Sequence, residues 1–134
     1  MAIALTKPGI DLGIVTGDGD AALRFYRDTL GFRQEPDTQF PGGGTMHRLW
    51  CGESLIKIVV PEKVPDSRPA SGGPMGGTGY RYWTISVSNL QDLVDECKAG
   101  GYEVRVEPRE VRPGVTIAMV EDPDGNWVEF LQNG

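Results

Sequence analysis

The sequence predicts an α+β fold: two β-α-β-β-β modules in tandem, about residues 8–60 and 80–132 of a single domain of 134 residues. Three observations predict it. The same succession of hydrophobic patterns, a strand, a helix and then three strands, is read twice along the chain. The spacing repeats too, since Asp11 to Asp18 and Tyr82 to Asn89 are each seven residues. Between the halves, residues 61–79 hold so much proline and glycine that they form a linker or long loop, not a helix or interior strand.

In the first half, residues 10–16 alternate, with Leu12 and Ile14 on one face and Asp11, Gly13 and Val15 on the other. Asp18 or Asp20 supplies a helix N-cap. Ala22, Phe25, Tyr26, Thr29 and Leu30 then recur at helical spacing, and Gly31 stops the helix. Residues 32–35, 45–50 and 55–60 follow as strands, separated by the turn-forming stretches 41–44 and 51–54. In the second half, residues 82–87 alternate Trp83, Ile85 and Val87 against Tyr82, Thr84 and Ser86. Asn89 caps a helix with Leu90, Leu93, Val94 and Cys97 on its apolar stripe, and Gly100-Gly101 ends it. Residues 102–106, 115–120 and 127–131 are the closing strands, the last two joined by the turn Asp122-Pro123-Asp124-Gly125. Leu30-Gly31-Phe32 mirrors Gly100-Gly101-Tyr102, so the repeat extends to the helix ends.

Composition narrows the function classes. A net charge of −6 and a pI near 4.7 disfavour nucleic acid, which calls for a concentrated basic face. No apolar run approaches the roughly 18 residues of a membrane span, and the opening residues have no basic lead-in or signal-length apolar stretch. The expectation is a cytoplasmic protein whose partner is a small molecule. Two cysteines without close spacing, Cys51 and Cys97, argue against a zinc knuckle or disulfide framework. Cys97 reads as a small buried hydrophobe.

Three segments carry a family likeness: residues 10–18 with the helix Ala22-Leu-Arg-Phe-Tyr-Arg-Asp-Thr-Leu-Gly-Phe32, residues 82–101, and Glu121-Asp-Pro-Asp-Gly-Asn-Trp-Val-Glu-Phe130. In this order they resemble the paired modules of the vicinal-oxygen-chelate superfamily, which spans glyoxalases, bleomycin-resistance proteins and extradiol dioxygenases. The resemblance implies sheets curled around a shared small-molecule pocket, with the helices packed on the opposite faces. It also implies a homodimer. Many members hold one divalent metal through four inward His, Glu or Gln side chains from the first and last strands of the two modules.

Carried onto this chain, those four positions fall on Asp11, Lys57, Tyr82 and Glu129. A divalent ion takes neutral imidazole or anionic oxygen donors. Asp11 and Glu129 qualify, Tyr82 ligates only as a phenolate or weakly as a phenol, and Lys57 brings a cation to the metal's place. The expectation is therefore no metal and no other cofactor. Lys57 would sit between Asp11 and Glu129 as the site's own cation, either neutralising a filled pocket or binding a substrate oxygen while Glu129 or Asp11 moves a proton. Trp127 shares the parity of Glu129 and would wall the pocket. Arg48 and Arg81 suit anion binding at its rim, and His47, whose strand parity is ambiguous, is a further binding candidate.

The leading function is a glyoxalase-like lyase or isomerase that works without the usual metal. One alternative is a drug- or natural-product-sequestering protein. Another is a metal-dependent lyase or dioxygenase whose ligands are displaced by one strand residue, an error that would flip every side chain to the other face.

Overall fold

The structure, a computed structural model, describes residues 1–134 and divides into two compact units, Met1–Asp66 and Ser67–Gly134. Each unit holds one complete β-α-β-β-β module, as the repeat predicts.

The first module runs β1 (Asp11–Val15), α1 (Gly19–Leu23), β2 (Arg33–Gln39), β3 (Gly44–Cys51) and β4 (Ser54–Pro61). Its sheet order is β1-β4-β3-β2, with β1 parallel to β4 and the other neighbours antiparallel. Asp18 caps α1 by accepting from the Ala21 amide at 3.0 Å, satisfying one of the helix's orphan donors. The predicted helix continues beyond α1, but residues Arg24–Thr29 wind as a π-helix. The Leu30 amide reaches the Phe25 carbonyl, and the Thr29 hydroxyl donates to the Arg24 carbonyl. Ala22, Leu23, Phe25 and Tyr26 are buried on one side of the sheet with Leu49, Ile56 and Ile58, and the Tyr26 ring stacks on Phe32. The opposite face carries Asp11, Gly13 and Val15.

The second module runs β5 (Tyr82–Ser86), α2 (Leu90–Ala99), β6 (Val104–Arg112), β7 (Val115–Glu121) and β8 (Trp127–Asn133). Its order, β5-β8-β7-β6, repeats the first. Leu90, Val94 and Cys97 of α2 are fully buried, as are Ala118, Val120, Val128 and Phe130. Burial pushes the Cys97 thiol up to about 11, fitting an inert core residue. Asn89 sits at the N-cap but its side chain makes no capping bond; the Gln132 side chain from β8 accepts from the Leu90 amide at 2.9 Å instead. Gly31 and Gly101 close the two helical segments with φ of +83° and +84°. This left-handed backbone suits glycine at a helix end.

Two strands outrun the predicted bounds by four residues or more. β2 extends through Pro36 to Gln39, and β6 through Pro108 to Arg112. Both are edge strands, and each proline lies within a register shift, where a missing ladder donor is tolerated. The turn predicted at residues 122–125 is built around Asp122, whose carboxylate accepts from the Asp124 amide, the Asn126 amide and the Asn126 side chain, each at 2.9 Å.

Candidate active site

Strand parity decides which side chains share the face away from the helices. In the first module, Glu35, Arg48, Lys57 and Gly13 are successive register partners across β2, β3, β4 and β1. The next row is Arg33, Trp50, Leu55 and Asp11. All eight positions therefore lie on the helix-free face.

The Lys57 ammonium lies 3.4 Å from Asp11 Oδ2, and Lys7 pairs with Oδ1 of the same carboxylate. Lys7 above all holds the Asp11 carboxyl below its ordinary range, against an opposing effect of desolvation, with Lys57 adding to the lowering. Lys7 also sits 4.9 Å from the centroid of the Trp50 ring, a cation–π contact. Arg48 pairs with Glu35 at 3.0 Å. The expected Asp11–Lys57 contact is thus present. Lys7 and Glu35 were not legible, because Lys7 precedes any periodic segment and Glu35 needs the β2–β3 register.

In the second module, Tyr82, Thr84 and Ser86 face Trp127, Glu129 and Leu131 in register. The Thr84 hydroxyl donates to Glu129 Oε1 at 2.6 Å, a short charge-assisted bond that fixes the carboxylate. Parity alone could have found Thr84, which lies two residues beyond Tyr82 on the same strand face. Val115, Ile117 and Met119 form a buried apolar cluster against which Val106, Trp127 and Leu131 pack.

Three of the predicted binding side chains have other work. His47 pairs in register with Ile58, so it lies on the helix side of β3, opposite in parity to Arg48. There its Nδ1 meets Asp37 at 2.9 Å and its ring borders Gly19 at the start of α1. The parity that the sequence leaves ambiguous thus falls on the helix side, away from the face of Arg48 and Lys57. Arg81 is spent on the linker, donating to the carbonyls of Gly73 at 2.7 Å and Ala70 at 2.6 Å. Trp127 shares the face of Glu129, but Gly73 packs so tightly on its ring that a Cβ has no room there. Its indole N–H donates to Glu121 at 3.1 Å. The later part of the linker is therefore fastened onto the second module.

The donors at the four family positions do not match a divalent ion's usual set. Asp11 is already paired with two ammoniums, Lys57 offers protons where a metal needs lone pairs, and Glu129 is bonded to Thr84. No group of three or more His, Cys, Asp and Glu side chains gathers in a metal-holding arrangement. No helix is long and apolar enough to cross a membrane.

The chain is similar to a lactoylglutathione lyase of Haemophilus influenzae, 31% identical over 125 residues that cover 87% of this chain and 86% of the relative. Among solved structures, a glyoxalase family protein from Bacillus cereus superposes with a TM-score of 0.81 at 16% identity, covering 98% of this chain and 96% of its own. An antibiotic-binding protein from Streptomyces sp. CB03234 superposes at 0.68 with 20% identity, covering 100% of this chain and 99% of its own, and shares the fold. The model of the Glyoxalase/Bleomycin resistance protein/Dioxygenase superfamily matches residues 10–130. With its two modules of identical strand order, the chain belongs to that superfamily.

Proposed function

We propose that this chain is a glyoxalase-like enzyme, of the lyase or isomerase type, that shifts a proton on a carbonyl- or carboxylate-bearing metabolite without a divalent metal. The observation that carries the reading is Lys57, an ammonium 3.4 Å from Asp11, at a position where the family resemblance implies a metal ligand. An ammonium can do part of a metal's work: it binds a carbonyl oxygen and stabilises the negative charge that develops there. Asp11 orients Lys57 through their ion pair. Glu129, held by Thr84 through Oε1, retains Oε2 as the atom that accepts a proton. In such a shift a carbon that bears a hydroxyl loses its proton, the C–H electrons move onto the adjacent carbonyl oxygen, the proton returns to the former carbonyl carbon, and the hydroxyl proton of the first carbon passes to the new alkoxide oxygen. Tyr82, the register partner of Trp127, offers a hydroxyl donor on the face of Glu129. Under this reading the protein is cytoplasmic and homodimeric.

Sequestration of a drug or natural product is the weaker reading. The aromatic wall it would use, Trp127, has a ring face against Gly73 and its N–H on Glu121. Recovery of a bound compound unchanged after long incubation would favour sequestration.

The test is turnover, first of lactoylglutathione and then of a panel of small carbonyl acids, in the natural protein and in Lys57→Met and Glu129→Gln. Each variant is expected to lose about 100-fold or more in kcat, the scale of a lost acid–base or oxygen-binding group. Undiminished turnover in both variants would remove Lys57 and Glu129 from these roles.

A further inference from the structure

We infer that Arg48 and Lys57 form a two-cation clamp on the helix-free face of the first module, and that it takes the carboxylate of a small monocarboxylate ligand. The inference rests on the reading of Lys57 as an oxygen-binding group and names the substrate class for it.

The strand order of this sheet is β1-β4-β3-β2. Asp11 therefore lies on one edge strand, Lys57 and Arg48 on the two central strands, and Glu35 on the other edge strand. Lys57 and Arg48 are direct register partners of an antiparallel pair, so two like charges face each other at the centre of the sheet. Such pairs are unfavourable unless an anion lies near both. The carboxylates present do not fill that role, because each engages its cation from the outer side. Asp11 meets Lys57 from β1 while also paired with Lys7, and Glu35 meets Arg48 from β2 at 3.0 Å through Nη2. A guanidinium carries five N–H donors, more than one carboxylate engages, so donors remain for a second planar carboxylate.

The balance of charge on this face points the same way. Arg33, Arg48 and Lys57 lie on it and Lys7 reaches Asp11 there, against the two carboxylates Asp11 and Glu35. A chain with a net charge of −6 thus keeps an excess of cations on one face. Space is available as well. Gly13 is the register partner of Lys57 on the side away from Arg48, and a Cβ built there meets nothing within 4 Å.

The experiment is a titration of the full-length protein with lactate, followed by amide and Arg48 side-chain NMR shifts. Lactamide, of similar size but uncharged, and inorganic phosphate are the comparison probes. Lactate is expected to shift the Gly13, Arg48 and Lys57 signals saturably, with lactamide inert and phosphate weaker. Lys57→Met and Arg48→Met should each weaken lactate at least tenfold. Gly13→Val, which adds bulk but no charge and keeps an ordinary strand backbone, should weaken it similarly. Melting curves confirm that each variant is folded, and any unfolded variant is replaced by Arg48→Gln or Lys57→Gln, for which the same loss is expected. Equal responses to lactate and lactamide, a tighter response to phosphate, or lactate shifts unchanged in the folded variants would overturn the clamp. Because binding is read without turnover, such a result would leave the kinetic test of Lys57 and Glu129 standing on its own.

Discussion

Asp11 shows how a single side chain ties the candidate chemistry to measurable stability. Lys7 and Lys57 lower its carboxyl pKa from the ordinary 3.8, so the folded protein favours the ionised form more than the unfolded chain does. For a lowered carboxylate, the stabilisation is fully present above the unfolded pKa and disappears as pH falls through the folded one. The side chain is 37% exposed, which screens the pair and limits its worth to below about 1 kcal/mol. Asp11→Asn should therefore lower the thermal midpoint slightly near pH 7. The difference from the natural protein should shrink once pH drops below 3.8, and also in about 1 M salt, where screening is short-ranged. Melting curves across pH and salt check this; a difference that persists unchanged in acid would deny Asp11 its ion pairs. The alternation of residues 10–16 made this face of Asp11 legible. Its second cation, Lys7, was not, since nothing periodic fixes where residues before a strand return. The face of His47 stayed open for a related reason: its strand was legible, but the parity of that strand depends on pairing with β4.

Among the elements, the proline- and glycine-rich linker departs most from what its composition suggests. Its later part folds against β8, with a short 3-10 turn at Gly73–Met75. Arg81 clamps it through the carbonyls of Ala70, Ser71 and Gly73, and Gly73, buried with a φ of +55°, rests on Trp127. Composition can say that such a segment is not helix or strand, but not whether a tertiary contact fastens it. Gly73→Ala should destabilise the protein by about 1–3 kcal/mol, from a forbidden approach to the Trp127 ring added to an unfavourable left-handed backbone. In a protein whose only tryptophan is Trp127, made by Trp50→Phe and Trp83→Phe, Arg81→Ala should increase acrylamide quenching. Unchanged quenching would mean that Arg81 does not hold the strap down. The overlong edge strands make a similar point: the predicted strands stop at residues 35 and 106, and only the register shifts show how pairing carries on past Pro36 and Pro108.

For the molecule as a whole, the repeat was legible because both modules must solve the same packing problem with the same chain order. Each buries one helical stripe on one sheet face, and each ends its helical segment at a left-handed glycine. That leaves the other face free to diverge, and the proposed metal-free chemistry rests on the side chains there. In the first module the family positions supply one carboxylate already neutralised by ammoniums and one ammonium. In the second they supply a phenol and one carboxylate bonded to a hydroxyl. An incoming divalent ion would have to displace Lys57 or compete with it for Asp11, and doing so costs the pair interaction without supplying a new donor. Protein purified without chelators is therefore expected to carry less than about one-tenth equivalent of zinc, nickel, manganese or iron, amounts well below the full occupancy of a built site. Its turnover should be the same after dialysis against EDTA as before, and added metal should not raise it. Elemental analysis alongside the same assay decides the matter: one equivalent of metal that leaves with EDTA and takes the activity with it would restore a metal-dependent lyase or dioxygenase as the reading of this chain.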